Sequence, residues 1–139
     1  TFWTMLQSMA AQPGVDGVHS LLGLTAAIPI LLGDNIGTTI TAVLAAIGQG
    51  RDAKRVAAAH AIFTLSGAAV CCALLQPFAA LVRLCSPTGA ECAVIARQIA
   101  NAHTLFNGLC ALVWLPLTGQ MVQLVCVLLP DKNRPEEQL

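Results

Sequence analysis

Apolar positions in this chain run in long unbroken stretches, and the polar ones are gathered at a few points between them. Residues 56–82 and 98–130 carry no Asp, Glu, Lys or Arg. Each stretch exceeds the about 20 residues that cross a 30 Å hydrocarbon core as helix. Residues 18–32 and 36–47 are shorter, about 22 Å and 18 Å as helix, and each falls short of a crossing. Between these two lies Gly33-Asp34-Asn35-Ile36-Gly37-Thr38-Thr39-Ile40-Thr41, a crowd of small and hydrogen-bonding residues. Pro29 removes a helix hydrogen bond and residues 33–37 supply flexible backbone, so the pattern predicts one broken helix or a re-entrant pair, with the break at the polar run.

The remaining elements follow from the same punctuation. Residues 1–17 are mixed, with a turn at Gln12-Pro13-Gly14, and form a partly helical lead-in. Gly48-Gln49-Gly50 ends the broken element, and residues 51–55 make a short loop into a helix predicted over 52–76. Pro77 kinks that helix before 78–85, and the apolar stretch 93–129 returns through Trp114 and Pro116. The division is therefore a lead-in at 1–17, a membrane unit at 18–130 and a polar linker at 131–139. The fold class is all-α, a polytopic membrane helical domain with broken or re-entrant helices.

Composition strengthens the membrane reading. Charged residues are 10% of the chain, against about 25% in soluble domains, and the spans are apolar on every face, which argues against a soluble bundle. Net charge is zero and aromatics are 4%, which argues against a nucleic-acid partner. Three basic residues among positions 51–55 place that loop in the cytoplasm by the positive-inside rule. Counting spans from there puts residues 85–92 outside and the tail at 131–139 back inside, in a multi-pass protein of the cell (inner) membrane. The chain begins at Thr1 without a signal peptide and reads as a piece of a longer protein.

Chemistry-bearing residues are few. Cys71, Cys72, Cys110 and Cys126 lie in apolar runs and read as small hydrophobes. Cys85 and Cys92 bracket a turn-rich loop and form a bridge if that loop faces an oxidising compartment. No metal-ligand spacing is present, and Asp34 has no paired carboxylate, so no enzymatic role is predicted. Two short segments echo each other: Ala59-His60-Ala61-Ile62-Phe63-Thr64 and Ala102-His103-Thr104-Leu105-Phe106-Asn107. In both, His and Thr or Asn lie one helical turn apart, and Arg97, Asn101, Thr104 and Gly108 form a further stripe. Such stripes either hold neighbouring helices together or line a transport route.

The run Ala27-Ile28-Pro29-Ile30-Leu31-Leu32-Gly33-Asp34-Asn35-Ile36-Gly37-Thr38-Thr39-Ile40-Thr41-Ala42 resembles the type II sodium/phosphate cotransporter family. Three further pieces follow in that family's order: Arg51-Asp52-Ala53-Lys54-Arg55-Val56-Ala57-Ala58-Ala59-His60, then Ala96-Arg97-Gln98-Ile99-Ala100-Asn101-Ala102-His103-Thr104-Leu105-Phe106-Asn107, then Leu128-Leu129-Pro130-Asp131. The resemblance covers roughly residues 22–131 and is strongest to the second repeat of a bacterial member.

It implies sodium-coupled movement of inorganic phosphate through two inverted repeats, of which this chain supplies one. Its partners would then be phosphate, sodium as the coupling ion, membrane lipid, and the other repeat or a second copy; no cofactor is implied. In such folds the site sits near the midplane, where helix N-termini face the anion and oxygens hold sodium. A helix starting near Asn35 would aim the amides of Ile36, Gly37 and Thr38 at phosphate. Asn35, Thr38 and Thr39 are the expected sodium ligands, with Thr41 beside them. Gln7, Ser8, Asp34, His103, Thr104 and Asn107 are further candidates, and the alternative is that Gly37 and the threonines pack helices.

The chain departs from the family in three places. Asp34 stands where the family has Ala, Thr64 where it commonly has Asn, and Gln7-Ser8 is only a partial echo of an upstream Gln-Ser-Ser run. A transport-inactive membrane domain that senses phosphate or scaffolds a cytoplasmic partner is the second functional reading. A phosphate-regulon-like helical domain is the cytoplasmic partner that the resemblance suggests.

Overall fold

The computed structural model describes residues 2–131, so the expected linker at 131–139 lies outside the described residues except for Asp131. Among the described residues six helices follow in order: α1 (Phe2–Ala10), α2 (Leu24–Ala45), α3 (Arg51–Ala73), α4 (Leu75–Leu84), α5 (Glu91–Trp114) and α6 (Thr118–Leu128). Among the described residues there is no strand, only an isolated bridge between Pro13 and Ser20. The all-α expectation holds. α2 and α3 are each long and apolar enough to cross a membrane, while α5 and α6 together would make a third crossing only as a bent pair.

The expected break at the polar run is absent. α2 is one continuous helix of 22 residues through Pro29, Gly33 and Gly37, about 33 Å long. Pro29 forfeits the hydrogen bond to the Thr25 carbonyl, and each glycine weakens a helix by about 1 kcal/mol. Burial of Leu24, Ala27, Ile28, Leu31, Leu32 and Thr39 opposes those costs. Helix is also the conformation that satisfies every interior amide without water.

Ala46 caps α2, and Gly48, at φ +79°, turns the chain back. Residues 51–55 are then the first turn of α3 rather than a loop, and α3 packs antiparallel along α2. α3 stops at Ala73, ahead of the expected Gln76. Pro77 explains the stop: it has no N–H for the Ala73 carbonyl and its ring would clash there, whereas the first turn of α4 accepts it. α4 buries Phe78, Ala79 and Val82.

α5 buries Ile95, Ile99, Ala102, Phe106 and Cys110, a single stripe of its surface. That stripe meets Ala27, Ile28, Leu31 and Leu32 of α2 in one hydrophobic cluster, which also takes in Leu6 and Ala10 of α1. Gly67 lets α3 approach α5, since a Cβ at that position would collide with the Cys110 Sγ and press on the Phe106 ring.

The stretch 93–129 does not return as one straight span. α6 departs from α5 by 84°, at residues 115–117, where Pro116 cannot continue the ladder of backbone bonds. The Trp114 Nε1 donates to the Ser66 Oγ at 3.1 Å, and the Arg55 guanidinium donates to the Leu129 carbonyl at 2.9 and 3.1 Å. α6 therefore runs back along the N-terminal half of α3. Arg55 also pairs with Asp131 at 3.1 Å, so the basic start of α3 and the exit of the chain share one end of the molecule.

Candidate functional site

Helical spacing sorts the polar run of α2 onto two adjoining faces. Asp34, Thr38 and Thr41 follow at i, i+4 and i+7, while Asn35 and Thr39 form the neighbouring pair. Thr39 is buried, Asp34, Asn35 and Ile36 are half-buried, and Gly37, Thr38 and Thr41 are exposed. A Cβ at Gly33 or Gly37 would meet nothing within 4 Å, so this side of α2 is open.

The hydrogen bonds of the run define what it offers chemically. Thr38 Oγ1 donates to the Asn35 carbonyl, Thr39 Oγ1 to the Ile36 carbonyl and Thr41 Oγ1 to the Thr38 carbonyl, each at 2.7 Å. Asn35 Nδ2 donates to the Leu31 carbonyl at 2.9 Å. Each hydroxyl thus commits its proton to its own helix and keeps its lone pairs as acceptors. That arrangement suits a hard cation.

It does not suit an anion. The amides of Ile36, Gly37 and Thr38, expected to be free at a helix start, lie in the interior of a continuous helix. This corrects the expected phosphate cradle, whose donors are used by the helix itself.

The further candidates do not converge on the run. Gln7 Nε2 donates to the Ala96 carbonyl of α5 at 3.2 Å, and Ser8 is exposed on α1. The His103 ring lies against Trp3, with centroids 4.6 Å apart and planes inclined by 52°. Thr104 Oγ1 donates to the Ala100 carbonyl and Asn107 Nδ2 to the His103 carbonyl, both within α5. Asn101 donates to the Cys85 carbonyl and the Ser86 Oγ, which pins the loop before α5. The contacts of Gln7, His103 and Asn101 tie helices and loops together, the packing role that polar stripes commonly have, while those of Thr104 and Asn107 stay within α5. All six cysteines are free thiols, including Cys85 and Cys92.

Two features were not anticipated. In the loop between α1 and α2, Asp16 accepts from the amides of Val18 and His19 and pairs with the His19 ring at 2.7 Å. The hydrogen bond to His19 holds the Asp16 carboxyl down at about 2, and Asp16 in turn raises the His19 pKa above its ordinary value. The Asp16-x-x-His19 spacing beside Gly17 was the available signal. The second feature is a 460 Å³ apolar cavity among α3, α4 and α5, lined by Cys71, Phe78, Cys110 and Trp114. Its Ser66 hydroxyl already accepts from Trp114, so the cavity offers a ligand apolar contact and little else.

No family model and no solved structure matches this chain. It is similar to a protein of Bacillus subtilis (strain 168) described as "Uncharacterized protein YqeW", with 40% identity over 114 residues. The matched region is 82% of this chain and 35% of that protein, so the chain spans about a third of its relative's length.

Proposed function

We propose that this chain is one repeat of a sodium-dependent phosphate transporter of the type II cotransporter family, in the cell membrane, with residues 51–55 and the C-terminus on the cytoplasmic side. One observation carries the reading: a helix long enough to span a membrane bears Asp34, Asn35, Thr38, Thr39 and Thr41 within about two turns. Polar groups at that depth are costly and mark solute routes by default. Sodium is held by the hydroxyl oxygens of Thr38 and Thr41, and by Asn35 and Thr39 beside them. Phosphate takes its donors from the rest of the protein.

The unbroken helix favours a second reading, a transport-inactive membrane domain that senses phosphate or scaffolds a cytoplasmic partner. Uptake of labelled phosphate into proteoliposomes containing the complete protein separates the two. Transport predicts a flux that requires a sodium gradient and falls on the order of tenfold in a Thr38→Val/Thr41→Val variant, the loss of about 1.4 kcal/mol of cation binding. Phosphate binding without flux supports the second reading in its sensing form, and neither binding nor flux overturns both transport and sensing. Replacing Asp34 with Ala restores the family residue and is expected to leave phosphate binding intact or stronger; a loss makes Asp34 a ligand.

A further inference from the structure

We propose that the turn joining α2 to α3 holds an anionic phospholipid, with an acyl chain in the groove between the two helices and its phosphate against Lys54 and Arg51. The groove, about 260 Å³, is walled by Val43, Ile47, Ala57, Ala58 and Leu129, and Lys54 is its one charged side chain. The proposal rests on α2 and α3 being membrane spans, whichever solute the protein handles.

Charge decides what occupies the groove. Arg55 is neutralised by Asp52 at 3.3 Å and Asp131 at 3.1 Å. Lys54, which is exposed, and Arg51, which is half-buried, have no acidic partner among the described residues. An apolar slot with a net positive rim, at the end of two spans, complements a lipid tail with a negative headgroup. Basic pockets between spans recognise anionic headgroups in this manner, each basic residue contributing about fivefold in affinity. Lys54 covers apolar surface with its stem while its ammonium stays at the headgroup level. Arg55 acts indirectly: by fixing the Leu129 carbonyl it holds Leu129 in place as a wall of the groove.

Native mass spectrometry of the complete protein, released from bilayers of mixed phosphatidylcholine and phosphatidylglycerol, tests this. The wild-type protein is expected to retain phosphatidylglycerol in preference. Lys54→Gln with Arg51→Gln should reduce that retention by about 25-fold, and Ala58→Phe, which fills the groove and leaves the charges, should abolish it. If Ala58→Phe disturbs the helix pair, Ile47→Trp at an exposed position serves instead. Equal retention of phosphatidylcholine, unchanged retention in the groove-filling variants, or displacement by free inorganic phosphate each overturns the proposal. A retained second copy of the protein in place of lipid does so too.

Discussion

α2 and the α5–α6 pair invert what their sequences advertise. α2 holds a proline, two glycines and a cluster of hydrogen-bonding residues, yet it is continuous. The α5–α6 stretch is more uniformly apolar where it bends, and it turns by 84°. The difference lies in where each proline falls relative to packing. Pro29 is flanked by buried Ala27, Ile28, Leu31 and Leu32, which hold both sides of the defect in one helix. Around Pro116 the residues Leu115 and Leu117 are exposed. There the chain is held by polar ties at either end of α6, from Trp114 to Ser66 and from Arg55 to Leu129. Polarity along a helix therefore does not locate a break; the balance between a lost backbone bond and local burial does.

The largest effect is expected from Pro29→Ala. If α2 is continuous, an exposed interior proline costs it up to about 3 kcal/mol, and the substitution should stabilise the protein by a large part of that. Denaturant titration in detergent micelles reads the change. A loss of stability would mean that α2 needs its break. Gly67→Ala is expected to act in the opposite direction, because overpacking against Cys110 and Phe106 costs about 1–3 kcal/mol. Alanine's helix preference returns about 1 kcal/mol of it. Cys110→Ala in the same molecule should restore most of the loss.

A smaller effect is expected at the glycines of α2. Gly33→Ala and Gly37→Ala meet open space, so each should add about 1 kcal/mol to an unbroken helix. A decrease of that size in the same titration would show that these positions adopt a conformation alanine cannot.

Much of the fold could be read from where charge is missing. The charge-free run at 56–82 marked α3, and Pro77 marked the boundary with α4 to within a few residues. The polar run suggested a helix break at residues 33–37, so the face that Asp34, Thr38 and Thr41 share emerges only once α2 is seen to be continuous. The direction of the backbone amides was not legible, because whether Pro29 breaks α2 depends on burial by α5, whose residues lie far along the chain. The bend at Pro116 was hidden for a related reason: apolar residues on both sides carry no periodicity that changes at the turn. The roles of Gln7 and His103 depended on α1 packing against α5, which no local pattern encodes.

The smallest effect is expected in a polar pair that lies outside the helices. His19 and Asp16 are both largely exposed, at 70% and 53% of the side chain, so solvent screens their pairing. Because the His19 pKa is raised, its share of loop stability is complete below its ordinary 6.5 and is lost as pH climbs through the raised value. Because Asp16 is lowered from 3.8 to about 2, its share is present above 3.8 and is lost as pH falls towards 2. The pair is therefore fully formed between about pH 3.8 and 6.5. Proton NMR of the His19 ring in the complete protein should give a midpoint above 6.5. Asp16→Asn should bring that midpoint back towards 6.5 while leaving the candidate site on α2 untouched; an unchanged midpoint would assign the shift to Glu91, the other acidic group acting on His19.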